Sequence, residues 1–488
     1  MEIFLPSRDW SSPSATRWTA ACFGIAIALA TAVFALHGSA LDAYWRYDDG
    51  AHLSTAARYS PWQYFFLPEL VQGVSGGAHI TPWNIFFYDV NLSLFGLRPA
   101  PFYAHQLLVI WLAAIATFAL LRLWIASLPA LIGALLFLIG APTTYVAQQL
   151  MTGHYAAGLL FSLCALYAYV VALRAESWRW AAAATLFYAL AVNCKEIYVP
   201  LIGILPFLPD RDWRTRLKFA SPLLLAGVAY AGWRVIVLGS LIGGYRPNAA
   251  TYDIVQVASG LAKLPQMPFT HSAIGTAALI GVVLALLWAL KNRRINAGLL
   301  LVSALLLVAP LAPLTVFPGI FNPDRYLFFI WWAISSLVAV LVAQGDNSRR
   351  RWALGLCVLL VFSAAARAHR DAEKALAADT TEISTVYRFI LGSQPSQVVV
   401  PRWSDGDYHW LIDTLMASVE TDLDAAGQRR ARVVKTDAEL SATDPQGLTF
   451  WAYDQGCQCV AEITESVARR FSERQLKLQV ADLPSTRK

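Results

Sequence analysis

The sequence predicts an all-α polytopic membrane protein of about eleven transmembrane helices, ending in a soluble α/β domain on the outer side. Three observations carry this. The 488 residues are 57% hydrophobic and only 14% charged, against roughly 25% charged in ordinary soluble proteins. The charge is also unevenly spread, because the last 120 residues hold 14 basic and 18 acidic side chains. Their balance is −4, so the first 368 residues carry an excess of +10 within the total of +6. Finally, apolar windows near bilayer length recur through those first 368 residues, separated by short basic groups. Nucleic acid is excluded as a partner, since its binders gather Lys and Arg on one face within a recognisable motif.

The windows place spans near 17–38, 102–123, 128–146, 154–173, 178–193, 197–208, 217–238, 272–290, 297–316, 325–343 and 352–368. The sixth is short and interrupted by Pro200 and Pro206, so it reads as a tilted or broken helix, or as a wrongly divided partner of the fifth. With the N-terminal segment 1–16 inside, alternate loops carry Arg211, Arg214, Arg216 and Lys218, then Lys291, Arg293 and Arg294, then Arg349, Arg350 and Arg351. These suit the cytoplasmic side. Loops 38–101, 240–270 and 317–324 then face outward, as does the tail. The first span lacks a convincing cleavage site and reads as a retained anchor. The domains expected are therefore the cytoplasmic segment 1–16, a transmembrane body 17–368 with an outer loop 39–101, and an extracytoplasmic α/β domain 369–488.

In the tail, a helical pattern at 371–391 leads to the β-branched run Val398, Val399 and Val400. A helix at 408–426, strands at 432–435 and 448–453, and an amphipathic helix at 465–478 follow. In the first outer loop, the stretch 86–97 has an apolar stripe of Phe86, Phe87, Val90 and Leu94, but Asp89 and Asn91 make it too polar to span. It reads as a helix lying in the outer interface.

Candidate chemistry gathers in the outer loops. Tyr44, Trp45, Arg46, Tyr47, Asp48, Asp49 and His52 are followed by Arg58, Trp62, Tyr64, Phe65 and Phe66, then by His79, Thr81, Pro82, Trp83 and Asn84. Two adjacent carboxylates beside a span repel each other and lose solvation, which suits one of them to general-base work. The competing reading is a solvated loop with a helix cap at Asp49. An aromatic belt at the membrane surface would explain the rings but not the paired acids.

Lys195 and Glu196 lie between two apolar runs, where charge is costly and usually faces a cavity or a partner. The alternative is a mutually neutralising pair. Arg325 opens the tenth span beside Asp324 and Tyr326, and its planar fork could grip a phosphate. A salt bridge to Asp324 or a lipid headgroup contact would also account for it. Arg246 and Lys263 are weaker candidates of the same kind. The eight histidines, His37, His52, His79, His105, His154, His271, His369 and His409, fall at the outer side without ligand spacing. A divalent metal is not favoured, with His79 and His154 the two to test. The six cysteines, Cys22, Cys164, Cys194, Cys357, Cys457 and Cys459, define no disulfide framework. Cys457 and Cys459 read as structural residues or free thiols, since neighbours this close rarely make an unstrained bridge.

On these residues the chain resembles the C-type membrane glycosyltransferases, and among them the protein O-mannosyltransferases and the aminoarabinose transferases that act on lipid A. The resemblance covers about 20–343. It rests on Asp48-Asp49, on His79-x-Thr81-Pro82-Trp83, and on Leu94-Phe95-Gly96-Leu97-Arg98-Pro99 with Tyr103 and His105. Lys195-Glu196 and Asp324-Arg325-Tyr326-Leu327 complete it. The tail matches no subfamily.

The resemblance implies a hexosyl- or pentosyltransferase that moves a sugar, with inversion, from a polyprenyl-phosphate donor to a cell-envelope glycan, lipid or protein at the outer membrane face. It needs no cofactor. Asp48 or Asp49 would be the base. Arg325, Lys195, Arg46 and Arg58 would hold the donor phosphate. Glu196, His79, Trp83, His154, Tyr326 and His52 would bind substrate. The expected place is a bacterial inner (plasma) membrane, with the N-terminus cytoplasmic, the C-terminus outside and membrane lipid as a partner. Two other functions compete. A polymerase or ligase of lipid-linked glycans would centre on Arg and His in a late outer loop. A non-catalytic transporter would show matching Gly/Pro-broken repeats, which are not seen.

Overall fold

The computed structural model describes residues 15–45, 48–74, 79–239, 241, 255, 258–259, 272–292, 294–308, 325–345, 348–392, 394, 396–399, 432–433, 443, 446–454 and 456–472. Among these, seven helices are long and apolar enough to cross a membrane: Cys22–Asp42, Pro99–Leu121, Leu150–Ala175, Trp213–Leu238, Ala273–Lys291, Arg325–Ala343 and Ser348–Ala377. The pair Ser127–Ile139 and Ala141–Gln148, bent by 58°, makes an eighth if counted as one broken span. The other expected spans fall on shorter pieces: Trp178–Cys194, the 3-10 turns of Glu196–Phe207, and Ala297–Val308. The chain is a multi-pass helical membrane protein.

Each interruption has a chemical cause. Pro142 has no N–H to offer Leu138, so that carbonyl faces His37 Nε2 instead, at 2.9 Å. The neighbouring Phe137 carbonyl accepts from the Trp331 indole at 3.1 Å and from the Thr143 hydroxyl at 2.6 Å. Gly140 makes room for that indole, since a Cβ there would fall 1.9 Å from Trp331 Nε1. At 196–207, Pro200 and Pro206 shorten the segment to two 3-10 turns. A second close approach involves Gly158, where a Cβ would lie 2.2 Å from the Tyr198 ring. The Tyr198 hydroxyl donates to the Tyr155 carbonyl at 2.6 Å, so this contact fixes the 153–175 helix against the 196–203 turn.

The outer-loop helix Pro82–Phe95 begins at a proline, whose missing N–H costs nothing at a first helical position. It stops at Gly96, which has φ +62° and donates its N–H to the Leu92 carbonyl at 2.9 Å. Pro99 opens the next helix. The Leu94 to Pro99 motif is thus a helix stop followed by a helix start. This outer-loop helix buries Asn84, Tyr88 and Asn91, leaving Leu94 exposed.

Two compact units are present: 1–41, 60–87 and 102–373 in one, and 42–59, 88–101 and 374–488 in the other. The second holds a four-stranded sheet of order β2-β1-β3-β4, with β1 Gln397–Val399, β2 Arg432–Val433, β3 Thr449–Asp454 and β4 Cys459–Glu462. β1 runs parallel to β2 and β3, whereas β3 and β4 pair antiparallel from Trp451↔Glu462 to Asp454↔Cys459. Val386, Ile390, Val399 and Tyr453 form its buried core. The span and the tail helix expected at 352–368 and 371–391 are one helix, Ser348–Gly392. Thr464–Ser472 carries the described part of the last one, while the helix expected at 408–426 lies outside the described residues.

The cysteine expectation needs correction, because Cys457 and Cys459 are joined in a disulfide. Sequence proximity alone had argued against it. The turn between β3 and β4 puts Gln458 at φ +52°, which brings the two Cα atoms to 5.2 Å, inside the span a disulfide bridges.

Candidate functional site

Within the helical unit, Val71 and Ile80 pack on Val237, with Trp233 and Leu238 beside them. The Gln72 amide donates to the Val237 carbonyl. These contacts press the loop before Pro82 onto the last turns of the Trp213–Leu238 helix, which carries Tyr230 and Arg234 one turn apart. Across from them, the Trp178–Cys194 helix ends because Lys195 takes up extended backbone, φ −161° and ψ 139°, aiming Lys195 and Glu196 away from the helix line.

The result is a buried ionic cluster. Glu196 Oε1 pairs with His79 Nδ1 and with Arg234 Nη1, the latter at 3.5 Å. Arg234 is 4% exposed and donates from Nε to the Leu241 carbonyl at 3.0 Å. Lys195, 5% exposed, has its Nζ 5.7 Å from the centre of the Tyr155 ring. Two cations, Lys195 and Arg234, thus bear on the Glu196 carboxylate, with His79 on the same oxygen as Arg234. Burial, reinforced by Lys195 and Arg234, holds the His79 imidazole below its ordinary value despite the opposing pull of Glu196.

Tyr155 extends the cluster. Its ring meets Tyr326 edge-on at 6.2 Å, and the Arg325 guanidinium lies 5.1 Å from the centre of the Tyr326 ring. His154 is buried beside Tyr155, at 4.6 Å between ring centres. Trp83 packs on Phe86 and, edge-on, on Phe161 at 4.9 Å, so in this unit it acts as a wedge between elements.

The paired acids lie in the other unit. Asp49 opens the Asp49–Arg58 helix and is fully buried, its Oδ1 accepting the Tyr88 hydroxyl at 2.6 Å. Asp48 is half-buried at the cap position, and its side chain makes no capping hydrogen bond. The cap position thus falls one residue before the Asp49 expected for it. One turn on, the His52 N–H donates to the Asp48 carbonyl at 3.1 Å, and its ring lies 5.3 Å from that of Tyr88. Burial lowers the His52 pKa, and the Asp48 charge opposes that shift. Arg58 sits exposed in the last turn of this helix, well down its axis from the acids. Arg46, Asp324, Arg246 and Lys263 lie outside the described residues.

The structure thus brings His79, Lys195 and Glu196 together, and reaches Tyr326 and Arg325 through Tyr155. Sequence reasoning missed Arg234, Tyr155 and Tyr88. The signal for Arg234 was present, a lone guanidinium in an otherwise apolar span. Nothing local marks the two tyrosines. Among the described residues, no group of three or more His, Cys, Asp or Glu side chains converges as a metal site would need.

No family model matches the chain, and no curated protein matches it. Among solved structures, it is similar to the crystal structure of ArnT from Cupriavidus metallidurans bound to undecaprenyl phosphate. The identity is 14% and the TM-score 0.48, over 90% of this chain and 93% of that one.

Proposed function

We propose that this chain is an inverting C-type glycosyltransferase that moves a sugar from a polyprenyl-phosphate donor to a cell-envelope glycan, lipid or protein at the outer face of a bacterial inner membrane. The observation that carries the proposal is the buried pair of cations, Lys195 and Arg234, gathered at the Glu196 carboxylate in a multi-pass helical body. Cations gathered inside such a body are suited to holding an anionic group, and a lipid phosphate reaches them from the bilayer. Arg325, stacked on Tyr326, is a third cation of the same set. Support comes from these residues rather than from the likeness to ArnT.

The chemistry then divides by residue type. As the acceptor hydroxyl attacks the anomeric carbon, a carboxylate of the Asp48–Asp49 pair takes its proton. The bond from that carbon to the phosphate oxygen breaks with inversion, and Lys195, Arg234 and Arg325 stabilise the charge gathering on the departing polyprenyl phosphate. His79 and Glu196 fix the orientation of Arg234. The transition state is oxocarbenium-like, with negative charge on both flanking groups.

The test is sugar transfer from a panel of radiolabelled polyprenyl-phosphate sugars in membranes carrying the wild-type protein or an Asp48→Asn, Asp49→Asn double variant at equal level. Label passing to an envelope acceptor with the wild type only is the expected result. No consumption of any donor by the wild type would overturn the proposal.

A further inference from the structure

We propose that the helical unit carries, at the end remote from the ionic cluster, a headgroup site for an anionic phospholipid, built from Arg214 and Lys218 with the rings of Trp178 and Trp213. It goes beyond the transferase proposal and does not depend on it. The Trp178–Cys194 and Trp213–Leu238 helices bring Lys195 and Arg234 to Glu196 at one end and begin at Trp178 and Trp213 at the other. At about 1.5 Å per residue, Arg214 stands about 30 Å along its helix from Arg234, the thickness of the hydrocarbon layer. The two sites therefore belong to opposite membrane surfaces. The surplus of Arg and Lys at this end suits the cytoplasmic leaflet, where anionic lipids gather.

That surplus remains after the local acids are engaged. Apart from Glu196, the stretch 174–218 has three carboxylates. Asp210 accepts from Arg174 Nε and from the Trp124 indole, each at 2.8 Å. Glu176 pairs with Arg211 at 3.2 Å. Asp212 caps the helix, accepting from the Arg214 and Thr215 N–H groups and from the Thr215 hydroxyl. Arg214 and Lys218 are exposed and pair with no carboxylate among the described residues. Being one turn apart, they share a helix face and can serve one phosphate. Aromatic rings set their depth. Lys218 Nζ lies 5.8 Å from the centre of the Trp178 ring and 5.4 Å from that of Phe219, and those two rings pack at 5.0 Å. The Arg214 guanidinium lies 5.5 Å from the centre of the Trp213 ring. Trp178 is 50% and Trp213 58% exposed, as indoles at headgroup level are. A headgroup with net negative charge satisfies both cations, whereas a zwitterionic one sets its own ammonium against them.

The test is lipid retention by the full-length protein in detergent, titrated with phosphatidylglycerol or phosphatidylcholine and read by native mass spectrometry. The wild type should hold phosphatidylglycerol at least about tenfold more tightly than phosphatidylcholine, and Arg214→Gln with Lys218→Gln should weaken that binding at least about tenfold. Arg349→Gln with Arg351→Gln removes the same charge from another exposed basic group and should change it less than about twofold. Neither double substitution opens the core. Equal retention of the two lipids by the wild type would overturn the site. So would equal losses in the two double variants, which would mean general surface charge, or displacement of phosphatidylglycerol by inorganic phosphate, which would mean a free anion. No readout uses sugar transfer, so failure of the transferase proposal leaves this test standing.

Discussion

In the helical unit the carboxylate of Glu196 is met by a guanidinium and an imidazole, whereas in the second unit the buried carboxylate of Asp49 is met by a phenol. In the first, opposite charges meet, with Lys195 bearing on the same carboxylate. In the second, the partner is a neutral donor that shares its proton in a hydrogen bond. A charge-compensated cluster holds its ions whatever approaches, which suits a grip. A carboxylate met by a neutral donor keeps acceptor capacity on its oxygens, which suits a base. Burial alone does not separate these roles, but the chemical nature of the partner does.

The contrast can be broken most forcefully at Glu196. Replacing it with alanine leaves Arg234 buried without its carboxylate, and should cost ~3–5 kcal/mol, read as a fall in unfolding temperature in detergent. Combining Glu196→Ala with Arg234→Met should recover part of that loss, with a coupling of about 0.5–3 kcal/mol. A simple addition of the two single effects would mean that the pair is not coupled. Tyr88→Phe should be milder, at ~1.5–3 kcal/mol for a hydrogen bond to a charged group, measured the same way. An unchanged unfolding temperature would deny that the Tyr88–Asp49 bond stabilises the fold.

Protonation sharpens the comparison. The His79 pKa is lowered in the folded protein, so its neutral form is favoured and its stabilising contribution is complete above the ordinary histidine value, about 6.5. That contribution is lost as pH falls from there toward the lowered value. The unfolding temperature should therefore drop between pH 7 and 5, and His79→Gln should flatten part of that slope. The smallest effect belongs to the hairpin bridge. Cys457→Ser with Cys459→Ser opens a loop of three residues that strand pairing already closes. The loss should stay below the ~2–4 kcal/mol of a typical disulfide, by thermal unfolding.

What the sequence made readable followed from cost. A charge inside an apolar run is expensive, so Lys195 and Glu196 stand out without any structure, as do the two adjacent acids. The spans announce themselves for the same reason. Partnerships are another matter. Arg234 reaches Glu196 across 38 positions only because two helix ends converge there, and Tyr88 finds Asp49 across 39 because an outer-loop helix folds back. Tyr155 looks like any aromatic residue in a span until Lys195 is placed over its ring. The Cys457–Cys459 bridge was misread because the decisive variable was one backbone angle, that of Gln458. Local pattern reveals which residues are costly, while the answer to each cost lies in tertiary structure.

The central claim is that the cationic cluster grips a lipid phosphate while the acid pair performs the chemistry. It is tested most directly by the amount of radiolabelled undecaprenyl phosphate retained on the purified protein. Lys195→Met and Arg234→Met should each weaken retention at least about tenfold, the equivalent of 1.4 kcal/mol, while the Asp48→Asn, Asp49→Asn double variant retains the lipid as the wild type does yet passes no label to an acceptor. Retention unchanged in both cation variants, or lost in the double acid variant, would contradict that division.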